Sequence, residues 1–149
     1  MGGISVFHKV LLPTDGSDNS LRAAEYVVNL LRFKPDIQVT LINVYHVPPE
    51  LKAFDHEHPF APGLVSSVKE MSKRYLAKTA AVFEQAGFSV TSESLEGEPA
   101  QVIVDYAAKG GFDHIVMGSR GAGQWSGLIF GSVTQKVIPL APCPLVLIR

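Results

Sequence analysis

Short apolar runs alternate with longer stretches of helical spacing along the whole chain. His8-Lys-Val-Leu-Leu-Pro13 carries Val10, Leu11 and Leu12 in succession, which predicts a short strand buried on both faces. Pro13-Thr-Asp-Gly-Ser17 is a turn signal. Leu21, Ala24, Val28 and Leu31 then fall on one helical stripe, with Ser17 or Ser20 able to cap its start and Pro35-Asp36 closing it. Gln38 to Tyr45 reads as a second, β-branched strand. His46 to Gly63 shows no period and holds four prolines, which predicts a long loop. Leu64, Val68, Met71, Tyr75, Leu76, Ala80 and Phe83 mark a helix of about six turns, with Gly87 at its end.

Phe88 to Leu95 alternates more than the other strands, so an edge position is expected. Pro99 suits the first turn of a helix buried through Val102, Ile103, Tyr106 and Ala107 and ended by Gly110-Gly111. His114 to Met117 is the fourth strand, Val133, Val137 and Leu140 mark the last helix, and Leu145 to Ile148 is a final strand. The intervals between strands are long enough for crossovers, so the pattern predicts a doubly wound parallel α/β sheet with helices on both faces.

Composition narrows the class. The 149 residues suit one domain spanning 1–149. A net charge of −1 argues against nucleic-acid binding. The lone cysteine, Cys143, permits no internal disulfide and reads as a small core residue. With no export signal or membrane-length apolar run in the sequence, a cytoplasmic protein is the expectation.

In such a sheet, ligands bind beyond the carboxyl ends of the strands, where strand order reverses. Pro13–Ser17, Val44–His46, Gly97–Pro99 and the glycine-studded stretch Gly118–Thr134 all fall at that end. The last of these is not a P-loop, since no Gly-Lys-Ser/Thr follows the glycines. Its Gly121-Ala-Gly123 start lacks the third glycine of a dinucleotide fingerprint and follows the fourth strand instead of the first. Its own pattern is Gly118-x2-Gly121-x9-Gly131-Ser132.

That spacing resembles the nucleotide-binding signature of the ATP-binding branch of the universal stress protein family. Val10-Leu-Leu-Pro-Thr-Asp-Gly-Ser17, Ile115-Val-Met-Gly-Ser-Arg-Gly121 and Cys143-Pro-Leu-Val-Leu-Ile148 are similar to that family's first, fourth and fifth strands. The resemblance implies a five-stranded sheet of order 3-2-1-4-5, ATP or a related adenine nucleotide (AMP, ADP) at the rim, and homodimers through Leu145–Ile148. It places adenine against the backbone near Asp15 and Val44, beside Pro13 and Thr14. Ribose and phosphates would lie along Met117, Gly118, Arg120, Gly121, Gly131, Ser132, Val133 and Thr134. Arg120 is the one cation between Gly118 and Gly131, so Mg²⁺ or Mn²⁺ is expected with a triphosphate.

Several residues keep two readings. Ser132-x-x-Gln135 is a capping box, so Ser132 is a helix cap, a phosphate ligand, or both. Asp15 fixes the turn or meets the base or ribose. Trp125, Leu128, Ile129 and Phe130 pack beneath the loop or form a lid or partner contact. His46, Asp55, His56, Glu57 and His58 could be arranged around a metal, but a solvated loop is the better reading of that tract. For function, an ATP-binding regulatory sensor of the stress response is expected, with a slow ATP hydrolase as the alternative. For the hydrolase, Asp15 is the acidic candidate at the phosphate rim and Asp113 lies at the opposite end. A receiver-type phosphoacceptor Asp after the third strand is missing from the sequence.

Overall fold

Strand β1 (Lys9–Pro13) is the middle of the sheet, as its continuous apolar run requires: Val10, Leu11 and Leu12 are fully buried. The computed structural model describes residues 7–57, 63–120 and 129–149, the side chains of 55–57 excepted. Beside β1 lie β2 (Gln38–Tyr45) and β4 (His114–Gly118), with β3 (Thr91–Glu96) and β5 (Leu145–Ile148) at the two edges. All pairings are parallel, in the order 3-2-1-4-5.

The period of two along each strand divides the core into two layers. Val10 and Leu12 pack with Val39, Leu41 and Val116 against helices α1 (Asp18–Phe33) and α3 (Leu64–Gln85). Leu11, Ile42, Ile115 and Met117 pack on the other face against α4 (Pro99–Lys109) and α5 (Ser132–Val137). Ser17 caps α1 by accepting from the Ser20 N–H, and Glu98 caps α4 by accepting from the Gln101 N–H. That Gln101 bond is the main reason the exposed Glu98 carboxyl is held below its ordinary value. Pro99 occupies the first turn of α4, where its missing N–H costs nothing. Gly87, at φ +84°, ends α3 in the left-handed conformation, its N–H bonded to the Glu84 carbonyl.

Four expectations change. The stretch after β2 contains a helix, α2 (Pro49–Glu57). Pro48 and Pro49 start it instead of breaking it: Pro49 stands in the first turn, and the Pro48 carbonyl accepts from Leu51 and Lys52. A Lys52–Glu96 ion pair ties α2 to the end of β3. The histidine tract lies largely outside the described residues; within them no group of three or more His, Cys, Asp or Glu could hold a metal ion.

Helix α3 has its predicted length, but Leu64 and Met71 are exposed and its buried stripe is Ser72, Leu76, Thr79, Ala80 and Phe83. A helix of 22 residues is about 33 Å long against about 20 Å for a six-residue strand, so its first turns overhang the sheet. Helix α5 stops at Val137, and Leu140 follows it, exposed. Strand β3 begins at Thr91, not Phe88, while Phe88 and Val90 pack against the α1–α3 core.

Away from the rim that binds ligands in such sheets, Asp113 fastens the entry of β1 to that of β4. Its Oδ2 accepts from the N–H groups of His8 and Lys9 at 2.9 and 2.8 Å. Its Oδ1 lies 2.9 Å from His114 Nδ1, and the His114 ring stacks on Phe7 at 3.8 Å. Burial alone would raise the Asp113 carboxyl, but these bonds outweigh it and hold the group below its ordinary value. A lowered folded-state value stabilises the fold above the unfolded value and loses that contribution as pH falls through the folded one. We therefore predict that Asp113→Ala lowers unfolding stability by roughly 2 kcal/mol at neutral pH. In denaturant titrations the deficit should shrink as pH drops below about 4; a deficit constant across that range would contradict this account.

Candidate functional site

Strand β1 ends its pairing with β2 at Pro13↔Ile42, but β2 runs on to Tyr45 beside β3. Backbone groups along a strand point alternately to the two neighbours. Ile42 faces β1, since its carbonyl accepts from Thr14 N–H at 2.9 Å, and Tyr45 faces β3, since its carbonyl accepts from Gly97 N–H at 2.9 Å. Val44 therefore turns its N–H and C=O toward β1 one rung beyond that strand's end. A donor and an acceptor are left side by side on an open strand edge.

Beneath that edge is a cavity of about 280 Å³ at the carboxyl ends of β1, β2 and β4. The structure brings to its wall every expected site residue that lies in the described region. Pro13, Thr14, Asp15 and Val44 form one end, and Met117, Gly118 and Arg120 lead along it. Gly131, Ser132, Val133 and Thr134 complete the other end. Gly121, Trp125 and Leu128 lie outside the described residues. Ile129, of the same apolar tract, is exposed.

The two ends are held differently. At the first, the Asp15 Oδ1 accepts from Ser17 N–H and Ser20 O–H, both at 2.9 Å, so this carboxylate fixes the turn into α1. Asn43 Nδ2 donates to the Thr14 carbonyl at 2.6 Å. A carbonyl can only accept, so the amide orientation of Asn43 is settled by chemistry. At the second end, Thr134 Oγ1 donates to the Gly118 carbonyl at 3.2 Å, and Gly131 N–H donates to Ser119 O at 2.8 Å. Ser119 N–H in turn donates to Ile148 O at 2.7 Å, which joins the neck of the glycine loop to β5. Arg120 Nε reaches Ile129 O at 3.4 Å across the same neck.

One expected role changes here, and one expected site residue gains a packing role. Gly131, not Ser132, is the N-cap of α5, and no side chain caps that helix. The capping box fails because Ser132 is already helical and Gln135 reaches the Phe130 carbonyl instead, at 3.1 Å. Ser132 is exposed at the cavity wall. Gly118 is required first by packing: a Cβ there would stand 2.9 Å from the Asn19 carbonyl carbon and 3.1 Å from Ser20 N. The start of α1 lies directly against that backbone.

Ser20, Ile42, Asn43 and Ile103 also line the cavity, though the sequence did not mark them as ligand contacts. Ser20 was visible as a cap candidate. Asn43 had a signal, being the polar residue in Leu41-Ile-Asn-Val44 and only 6% exposed. Ile42 and Ile103 had none, because an apolar wall residue reads as core.

The model of the Universal stress protein family matches residues 7–149. Universal stress protein MJ0531 of Methanocaldococcus jannaschii is 35% identical, over 99% of this chain and 85% of its own length. The solved structure of MJ0577, from the same organism, superposes with a TM-score of 0.79 at 27% identity, covering 97% of this chain and 96% of its own. Two more distant structures with the same fold are complexes. A universal stress protein with cAMP has a TM-score of 0.72 at 19% identity, covering 97% of this chain and 99% of its own. One from Archaeoglobus fulgidus with dAMP has a TM-score of 0.63 at 20% identity, covering 97% of this chain and 100% of its own.

Proposed function

The chain belongs to the universal stress protein family, and from that premise we propose that it binds an adenine nucleotide, ATP or a shorter relative, as a homodimeric regulatory protein of the stress response. The observation that carries this reading is the Val44 edge opening onto the cavity whose far wall is the backbone of Gly131 to Thr134. An N–H beside a C=O is the complement of adenine, whose N1 accepts and whose N6 amine donates. Guanine presents the opposite pair, a donor at N1 and an acceptor at O6. The related proteins held with cAMP and dAMP carry the same base.

The phosphates would lie along Gly118, Arg120 and the amides of Gly131 to Thr134. One guanidinium does not balance a triphosphate, so Mg²⁺ or Mn²⁺ would accompany ATP, held by its phosphate oxygens. The described residues offer the metal no carboxylate cluster. Asp15 is committed to the turn through Oδ1, which supports a role in binding and gives no support to hydrolysis. No helix among the described residues is long and apolar enough to cross a membrane.

The proposed dimer contact is β5. Its residues Leu145 to Ile148 are half-buried and uncharged, and exposed Ile138 and Leu140 precede it. The opposite edge, β3, carries Glu93 and Glu96, charges that discourage strand addition.

Calorimetry should find AMP or ATP bound and GMP at least about tenfold weaker, since an inverted base edge leaves buried polar groups unpaired. Equal affinity for AMP and GMP would remove Val44 from base recognition. Sedimentation should give a dimer, converted to a folded monomer by Val146→Asp; a wild-type monomer, or a dimer indifferent to the substitution, would exclude β5 as the contact.

A further inference from the structure

Helix α3 grips the β1–α1 loop from behind the cavity wall, and the grip runs through hydroxyl groups whose direction is fixed. Thr79 Oγ1 donates to the Tyr75 carbonyl at 2.9 Å. Its single proton being used there, the 2.7 Å contact between Thr14 Oγ1 and Thr79 Oγ1 must have Thr14 as donor. Thr14 Oγ1 then accepts from Gly16 N–H at 3.1 Å. The chain therefore runs one way, from the Gly16 amide through Thr14 and Thr79 to the helix backbone. Thr79 is fully buried and Thr14 5% exposed, so water offers no ready substitute for a broken link.

The same turn of α3 holds the loop at two further points. Lys78 Nζ donates to the Gly16 carbonyl at 3.1 Å. Gly16 has φ +74° and packs so closely on the Tyr75 ring that an added Cβ would stand 2.8 Å from it. From the sheet side, Asn43 holds the Thr14 carbonyl. Thr14 and Asp15 line the cavity, yet the Thr14 hydroxyl that fixes them is bonded to α3.

We propose that Thr79, which does not line the cavity, is a positioning residue for the base end of the site, acting through Thr14 on the Pro13–Asp15 wall. The proposal rests on the adenine-nucleotide reading for its consequence in binding, while its claim about the loop stands on the hydrogen-bond chain. Thr79→Val keeps the side-chain shape and removes the hydroxyl. The buried Thr14 donor loses its acceptor, Gly16 N–H loses a fixed partner, and the wall loosens. Thr79→Ser keeps the hydroxyl and restores the chain.

Two measurements on the full chain test this. In ligand-free protein, amide hydrogen exchange at Gly16 should be about tenfold faster in Thr79→Val and near wild type in Thr79→Ser, with the α4 and β4 amides unchanged. Adenosine, which has no phosphate, should bind Thr79→Val about tenfold more weakly than wild type, and AMP should weaken by the same factor, because only the base end has moved. Unchanged Gly16 exchange, or equal adenosine affinity in Thr79→Val and wild type, would overturn the proposal. General loss of protection across α4 and β4 would also overturn it, by making Thr79 a core residue only. Should wild type bind neither adenosine nor AMP, the nucleotide reading fails by itself, and the Gly16 exchange still decides the role of Thr79.

Discussion

Everything at the site depends on a mismatch in strand length at the centre of the sheet. β1 makes its last rung with β2 at Pro13↔Ile42, whereas β2 continues to Tyr45. Had β1 continued for two more residues, the Val44 backbone would be paired within the sheet and the crevice filled. The pairing stops after Thr14, whose N–H still donates to the Ile42 carbonyl while its own carbonyl accepts from the Asn43 side chain, and the Asp-Gly turn then carries the chain into α1. The crossover from β1 leads to β2 on one side, and the later crossover from β3 leads to β4 on the other side of β1, so the opening falls between them.

A crevice of this kind keeps its shape only if its walls are held from outside. The two apolar layers do most of this, since β1 is fully buried from Val10 to Leu12 and shares its side chains between both cores. Local polar bonds supply the rest. α3 and Asn43 hold the β1–α1 loop, Thr134 holds the end of β4, and Ser119 ties the loop neck to β5. That last link places the glycine loop and the candidate dimer edge on one backbone path, through Gly131, Ser119 and Ile148.

Sequence patterning reached the architecture because the signals were local and agreed with one another. Val10-Leu-Leu12 could only be a buried strand, and Gly87, Pro99 and Ser17 marked helix ends with turn and cap chemistry. The same patterning misses α2, since the aperiodic, proline-bearing tract from His46 to Gly63 reads as a loop although proline suits a helix start. Leu64, Met71 and Leu140 keep the helical period yet are exposed, because period alone does not decide burial. At the site, glycine spacing and the turn at Asp15 marked both ends of the cavity. Asn43 and Thr79 each stand out as a polar residue in an apolar pattern, but their roles are not legible, because the partner of each lies far away in the chain. Gly118 belongs to that glycine spacing, while its contact with α1 becomes visible only in the fold.

The central claim is that one ligand spans the cavity, with its base at Val44 and its phosphate at the residues before and within the start of α5. Titrating ¹⁵N-labelled protein with AMP and following the backbone amides tests it directly. The amide of Val44 and those of Gly131 to Thr134 should shift together along one saturable curve. Shifts confined to one end, or saturation at different concentrations for the two ends, would contradict a single nucleotide lying across both.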